Sequence, residues 1–131
     1  MYDYHLWIVL RESTEESDCG SLEREAEDLR RLIRGRLNCK PEECIQSVNY
    51  SLVFQCSASA NHRGQDHESL LEVLRHIAAR LPGSYGLVYW SDDEDPGRDQ
   101  FDGYRVIVVA RGQLHDRFDS FLTPFIPHIE D

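Results

Sequence analysis

The stretch NHRGQDH gathers Asn61, His62, Arg63, Asp66 and His67 within seven residues. A histidine that titrates near neutrality, beside an arginine that holds anions, could serve phosphoryl or acyl chemistry. No nucleophile is marked beside it. Polar loops ahead of helices also collect such residues as caps. His62 and His67 lie five apart in a loop, a spacing that defines no metal geometry. The run Asp92, Asp93, Glu94, Asp95 offers carboxylates to a divalent ion. A calcium loop needs alternating ligands, a central glycine and a later bidentate glutamate, whereas these acids are consecutive and Pro96 follows. A solvated loop, or an acidic contact for a basic protein, is the reading left for it. The cysteines Cys19, Cys39, Cys44 and Cys56 contain no CxxC, so zinc-ribbon spacing is absent. PGSYGLVY carries two glycines but runs from a helix into a strand, the reverse of a phosphate cradle. The residues alone therefore assign no catalytic, cofactor or metal site.

The elements that must position these residues follow from periodicity. YHLWIVLR (Tyr4 to Arg11) is apolar, aromatic and branched, and predicts a largely buried first strand with Trp7 in the core. Leu22, Ala26, Leu29, Ile33 and Leu37 recur at helical spacing, with Ser21 as the expected N-cap. Early acids and late arginines on the other face suit the helix dipole. NCKPEE then breaks the helix. CIQSVNYSLVFQCSAS (Cys44 to Ser59) reads as two antiparallel strands with a tight turn near Asn49. Leu70, Leu71, Val73, Leu74, Ile77, Ala78 and Leu81 predict a second helix, capped by Asp66 and stopped by Pro82-Gly83. SYGLVYW and YRVIVVARG are two further strands, divided by the polar loop SDDEDPGRDQFDG, and a tail follows. Trp90, at a strand end beside the acids, suits either the core or a recognition surface.

The order is strand, helix, strand, strand, helix, strand, strand. Its first six elements match the split βαββαβ, ferredoxin-like arrangement. The expectation is one α+β domain over residues 1–131: a mainly antiparallel sheet of about five strands with two helices on one face. The chain has 131 residues, 40% apolar and 29% charged, the profile of an ordinary globule. Its formal net charge is −10. That speaks against nonspecific nucleic-acid binding, which needs basic side chains on phosphates, and favours encounter with a basic partner. MYDYHLWIVLRES lacks the basic start and cleavage site of a signal peptide. No stretch approaches the ~20 apolar residues of a membrane span. A cytoplasmic location with reduced thiols is the expectation.

Several motifs together carry a resemblance. YHLWIVLRES, NHRG, PGSYGLVYW followed by DDED, VVARGQL and the terminal PFIPHIED, in this order, resemble the immunity protein 7 family of bacterial polymorphic toxin systems. The likeness runs from Tyr4 to Asp131. Leu6 departs from it, standing where the family pattern would have a glycine between His5 and Trp7. The resemblance implies a cytoplasmic inhibitor, not an enzyme, that binds a cognate toxin domain encoded by a neighbouring gene. No cofactor, metal, nucleic acid or membrane enters that role.

On that footing the expected toxin contacts are Asn61, His62, Arg63, Trp90, Asp92, Asp93, Glu94 and Asp95, with the terminal Glu130 and Asp131. Their carboxylates would pair with basic or catalytic side chains of the toxin and block its active site. PFIPHIED, stiff and apolar, is expected to strap along the sheet, with Phe121, Phe125, Ile126 and Ile129 covering an edge or the end of the core. A reading from another class is a small-ligand-binding or regulatory α+β module that uses the NHRG and PGSYG loops. A third is a hydrolase, which needs a cleft holding His62, Arg63 and His67 together.

Overall fold

The computed structural model describes residues 1–13, 20–94 and 103–124. The elements are β1 (Tyr2–Leu10), α1 (Leu22–Arg36), α2 (Pro41–Cys44), β2 (Ile45–Val48), β3 (Ser51–Ala60), α3 (Asp66–Arg80), β4 (Tyr85–Asp92), β5 (Arg105–Ala110) and β6 (Gln113–Phe118). The strands form one sheet in the order β2-β3-β1-β4-β5-β6. Every neighbouring pair is antiparallel. The fold is α+β, with the expected split βαββαβ core extended by β5 and β6 beyond β4.

The central strand alternates strictly. Tyr2, Tyr4, Leu6, Ile8 and Leu10 are buried beneath the helices. α1 contributes Leu29 and Ile33 to this core, and α3 contributes Leu70, Val73, Leu74 and Ile77. Each such aliphatic side chain stabilises the fold by about 1.5–3 kcal/mol relative to exposure. Arg80 of α3 grips Glu25 of α1 through both carboxylate oxygens, at 3.2 and 2.9 Å. That pair closes the rim where the two helices meet.

Two hairpins turn on pairs of left-handed residues. Asn49 and Tyr50 have φ of 51° and 67°, and Arg111 and Gly112 have 54° and 72°. Two positive φ angles in a two-residue loop match the twist of the flanking strands. Gly86 has another reason to be glycine. A Cβ there would lie 2.1 Å from the Trp7 carbonyl oxygen and 2.6 Å from Ile8 Cα. β1 and β4 approach too closely for any side chain.

Several local expectations need correction. The sheet has six strands, because β6 forms where a tail was expected. NCKPEE holds a single helical turn, α2, with Pro41 in its first turn, where it loses no helical hydrogen bond. The N-cap of α3 is Gln65, and Asp66 is its first helical residue. Ser21 stands at the N-cap of α1 as expected, but its hydroxyl donates to Glu12 Oε2 at 2.9 Å instead of to the helix. Trp7 is 43% exposed rather than buried. An apolar run suggested burial on both faces, but the helices cover only one.

Candidate functional site

The register of β1 assembles the expected contact loops. Tyr2 pairs with Ala60 of β3 on one side and with Asp92 of β4 on the other. The segments following both strands therefore leave the same end of the sheet. His62 Nδ1 donates to the Glu94 carboxylate, 3.0 Å from Oε2 and 3.1 Å from Oε1. Arg63 Nε lies 3.4 Å from Asp92 Oδ2. The amino group of Met1 is paired with Asp93, and the Asp93 amide donates to the Met1 carbonyl at 3.2 Å.

The acids are not equivalent. Asp92 is only 5% exposed and accepts a hydrogen bond from the Glu94 amide at 3.0 Å, so it braces the turn. Glu94 is exposed and Asp93 half-buried. Asp95, Glu130 and Asp131 lie outside the described residues, as do Phe125, Ile126 and Ile129. Phe121 is described and is 88% exposed, so its ring covers neither an edge nor the end of the core.

Trp90 belongs to the core, at 4% exposure. Its ring packs against His67 with centroids 4.3 Å apart. His67 Nδ1 is also hydrogen-bonded to the Tyr2 hydroxyl at 2.9 Å. Burial pushes the His67 pKa below its ordinary value, with the nearby Arg63 charge adding to the shift. Arg63, His67, Arg105 and Asp116 line a cleft of about 500 Å³. His62 turns away from that cleft towards Glu94, so the trio a hydrolase would need is not brought together.

The face of the sheet opposite the helices is mixed, with aromatic and aliphatic side chains towards its centre and polar ones on the outer strands. Register sets Gln55, Trp7, Leu87, Val108 and His115 in one row, and Ser57, His5, Tyr89, Val106 and Arg117 in the next. His5, Trp7, Leu87, Tyr89, Tyr104 and Leu122 line a groove of about 290 Å³ there. Asp119, 1% exposed, anchors the chain beside the groove. It accepts hydrogen bonds from the Tyr89 hydroxyl at 3.0 Å and from the Leu122 amide at 2.7 Å. Thr123 Oγ1 accepts one from the Tyr104 amide at 2.9 Å.

A second grouping was missed from sequence. Cys39, Cys44 and Cys56 converge, with their sulfur atoms all within 4.8 Å of one another. Hydrogen bonds to its sulfur, from Cys39 first and then from Tyr4 and Cys44, hold the Cys56 thiol down at about 6 against the opposing effect of burial. The Cys39 and Cys44 thiols are raised. The available signal was the position of Cys44 and Cys56 on either side of the predicted Asn49 turn.

Among the described residues, no helix is long and apolar enough to cross a membrane. The model of a protein family described as Immunity protein 7 matches residues 1–131, the whole chain. Neither a curated relative nor a solved structure matches it.

Proposed function

The chain belongs to the immunity protein 7 family, and from that membership we propose that it binds a cognate polymorphic-toxin domain and blocks the toxin's active site. The family match over the whole chain carries this reading. The protein acts as a stoichiometric inhibitor rather than an enzyme. It meets its toxin in the cytoplasm, where its thiols stay reduced.

The contact surface we propose joins two features. Its centre is the sheet face that no described helix covers, around Trp7, Tyr85, Tyr89 and Tyr104. Tryptophan and tyrosine, fixed on a rigid sheet, are the residue types that dominate interface energetics. Its rim is the loop end that carries Asn61, His62, Arg63, Asp93 and Glu94; Asp95, Glu130 and Asp131, outside the described residues, are the further contacts proposed. Asp92 braces that rim from within, and Trp90 lies behind it in the core. A net charge of −10 favours a basic toxin and steers it towards encounter.

The experiment is titration calorimetry against the toxin domain encoded by the neighbouring gene, using a catalytically inactivated toxin. Tight one-to-one binding, with toxin activity lost at one equivalent, is the expected result. Absence of binding at micromolar concentrations would refute the pairing. Binding without loss of activity would refute occlusion.

A further inference from the structure

We propose that Cys39, Cys44 and Cys56 form a binding site for a thiolate-preferring metal ion, and for Zn²⁺ in particular. The three residues come from separate parts of the fold. Cys39 lies in the connection between α1 and α2, Cys44 ends α2, and Cys56 sits in the middle of β3. Their sulfurs nonetheless point at one another, all within 4.8 Å. Zinc–sulfur bonds of about 2.3 Å place sulfurs on a tetrahedral ion about 3.8 Å apart. Small side-chain rotations are enough to close the three sulfurs onto one ion.

The surroundings suit a metal better than simple packing. Cysteines that serve only as small apolar residues need not converge. Here a cleft of about 680 Å³ opens onto the cluster, lined also by Arg34, Lys40, Glu43 and Gln55. Cys39 and Cys56 are only half-buried, so an ion has a way in. Three thiolates around Zn²⁺ carry a net charge of −1, and Lys40 lines the same cleft to offset it, while Arg34 there is already paired with Glu42 at 2.6 Å. Tyr4 is buried on the same face of the sheet as Cys56, in the neighbouring strand, and stands behind that ligand. The fourth position is left to a water, which the cleft admits. Sulfur donors select Zn²⁺ or Cu⁺ over Mg²⁺ and Ca²⁺.

The test is titration of the reduced, chelator-stripped protein with Co²⁺ and then with Zn²⁺. In the Cys19→Ser variant only the three cluster thiols remain. One equivalent of Co²⁺ should produce thiolate-to-metal charge-transfer absorption, and Zn²⁺ should bleach it. Zn²⁺ should also raise the melting temperature, because the ion binds the folded chain. Cys39→Ser and Cys56→Ser should each lower zinc affinity by at least about 10-fold. Cys44 is buried, so if Cys44→Ser fails to fold, the two half-buried positions carry the test. A reduced protein that gives no charge-transfer band would overturn the proposal. So would zinc affinity unchanged in folded Cys39→Ser and Cys56→Ser.

Discussion

His62 and Glu94 meet across the end of the sheet, Nδ1 3.0 Å from Oε2, and so join the loop after β3 to the acidic run that ends β4. Both side chains are exposed. The acidic run is therefore a braced structure rather than a loose fan of charge. Among its described residues the surface charge is carried by Asp93 and Glu94, while Asp92 is buried. The double change Asp93→Lys with Glu94→Lys should slow association with the toxin at low salt. The effect should fade as screening shortens the reach of the field. Stopped-flow rates at two ionic strengths check this, and equal rates for both proteins at low salt would remove the loop from the contact.

Trp7 and Trp90 should separate binding from stability. Trp7 is 43% exposed on the face opposite the helices, and Trp90 packs on His67 in the core. Trp7→Ala should cost about 2 kcal/mol or more of toxin affinity, as for an aromatic hot spot, while the fold is kept. Trp90→Ala should cost about 3–5 kcal/mol of folding stability instead. Calorimetric affinities and urea midpoints for both variants provide the comparison. A Trp7→Ala protein that binds as tightly as the parent would move the interface elsewhere.

Gly86→Ala is expected to be more damaging than its single added methyl suggests. The new carbon would meet backbone atoms of Trp7 and Ile8, which cannot rotate away. Overpacking of this kind costs about 1–3 kcal/mol, and backbone clashes belong at the upper end. A urea midpoint within error of the parent would contradict the close approach of β1 and β4.

Two groups should set separate acid windows. His67 has a folded pKa below its ordinary 6.5. The unfolded chain takes up that proton first, so stability falls as pH drops from about 6.5 towards the folded value. Glu25 is held below its ordinary 4.5, first by its hydrogen bonds from Arg80. Its contribution is present above 4.5 and disappears as pH falls through the lower folded value. His67→Gln should flatten the upper part of a stability–pH curve, and Glu25→Gln the part below 4.5. Denaturation at a series of pH values would expose a parent slope unchanged by either substitution.

The helix periods from Leu22 to Leu37 and from Leu70 to Leu81 were legible because one side of each helix faces a continuous core. The hairpin at Asn49 was legible because few residues accept positive φ. β6 was not, since Gln113–Phe118 is an edge strand with mostly exposed side chains and carries little apolar alternation. Trp7 was misplaced because an apolar run does not say how many faces of a sheet are covered. At the candidate surface, NHRG and the acids could be singled out by type, but their convergence depends on the pairing of β1 with both β3 and β4. The cysteine cluster depends on the same long-range assembly, which spacing alone does not encode.

The central position of β1 has a consequence for synthesis. Tyr2 is paired with Asp92, so the middle strand gains its full second neighbour only after some ninety further residues have left the ribosome. Until then the early strand has an unpaired edge and the first helix has no complete sheet to cover. Contacts this distant along the chain slow folding and favour late, cooperative closure. If the chain blocks a toxin as proposed, a surface that spans β1, β3 and β4 is complete only after this closure.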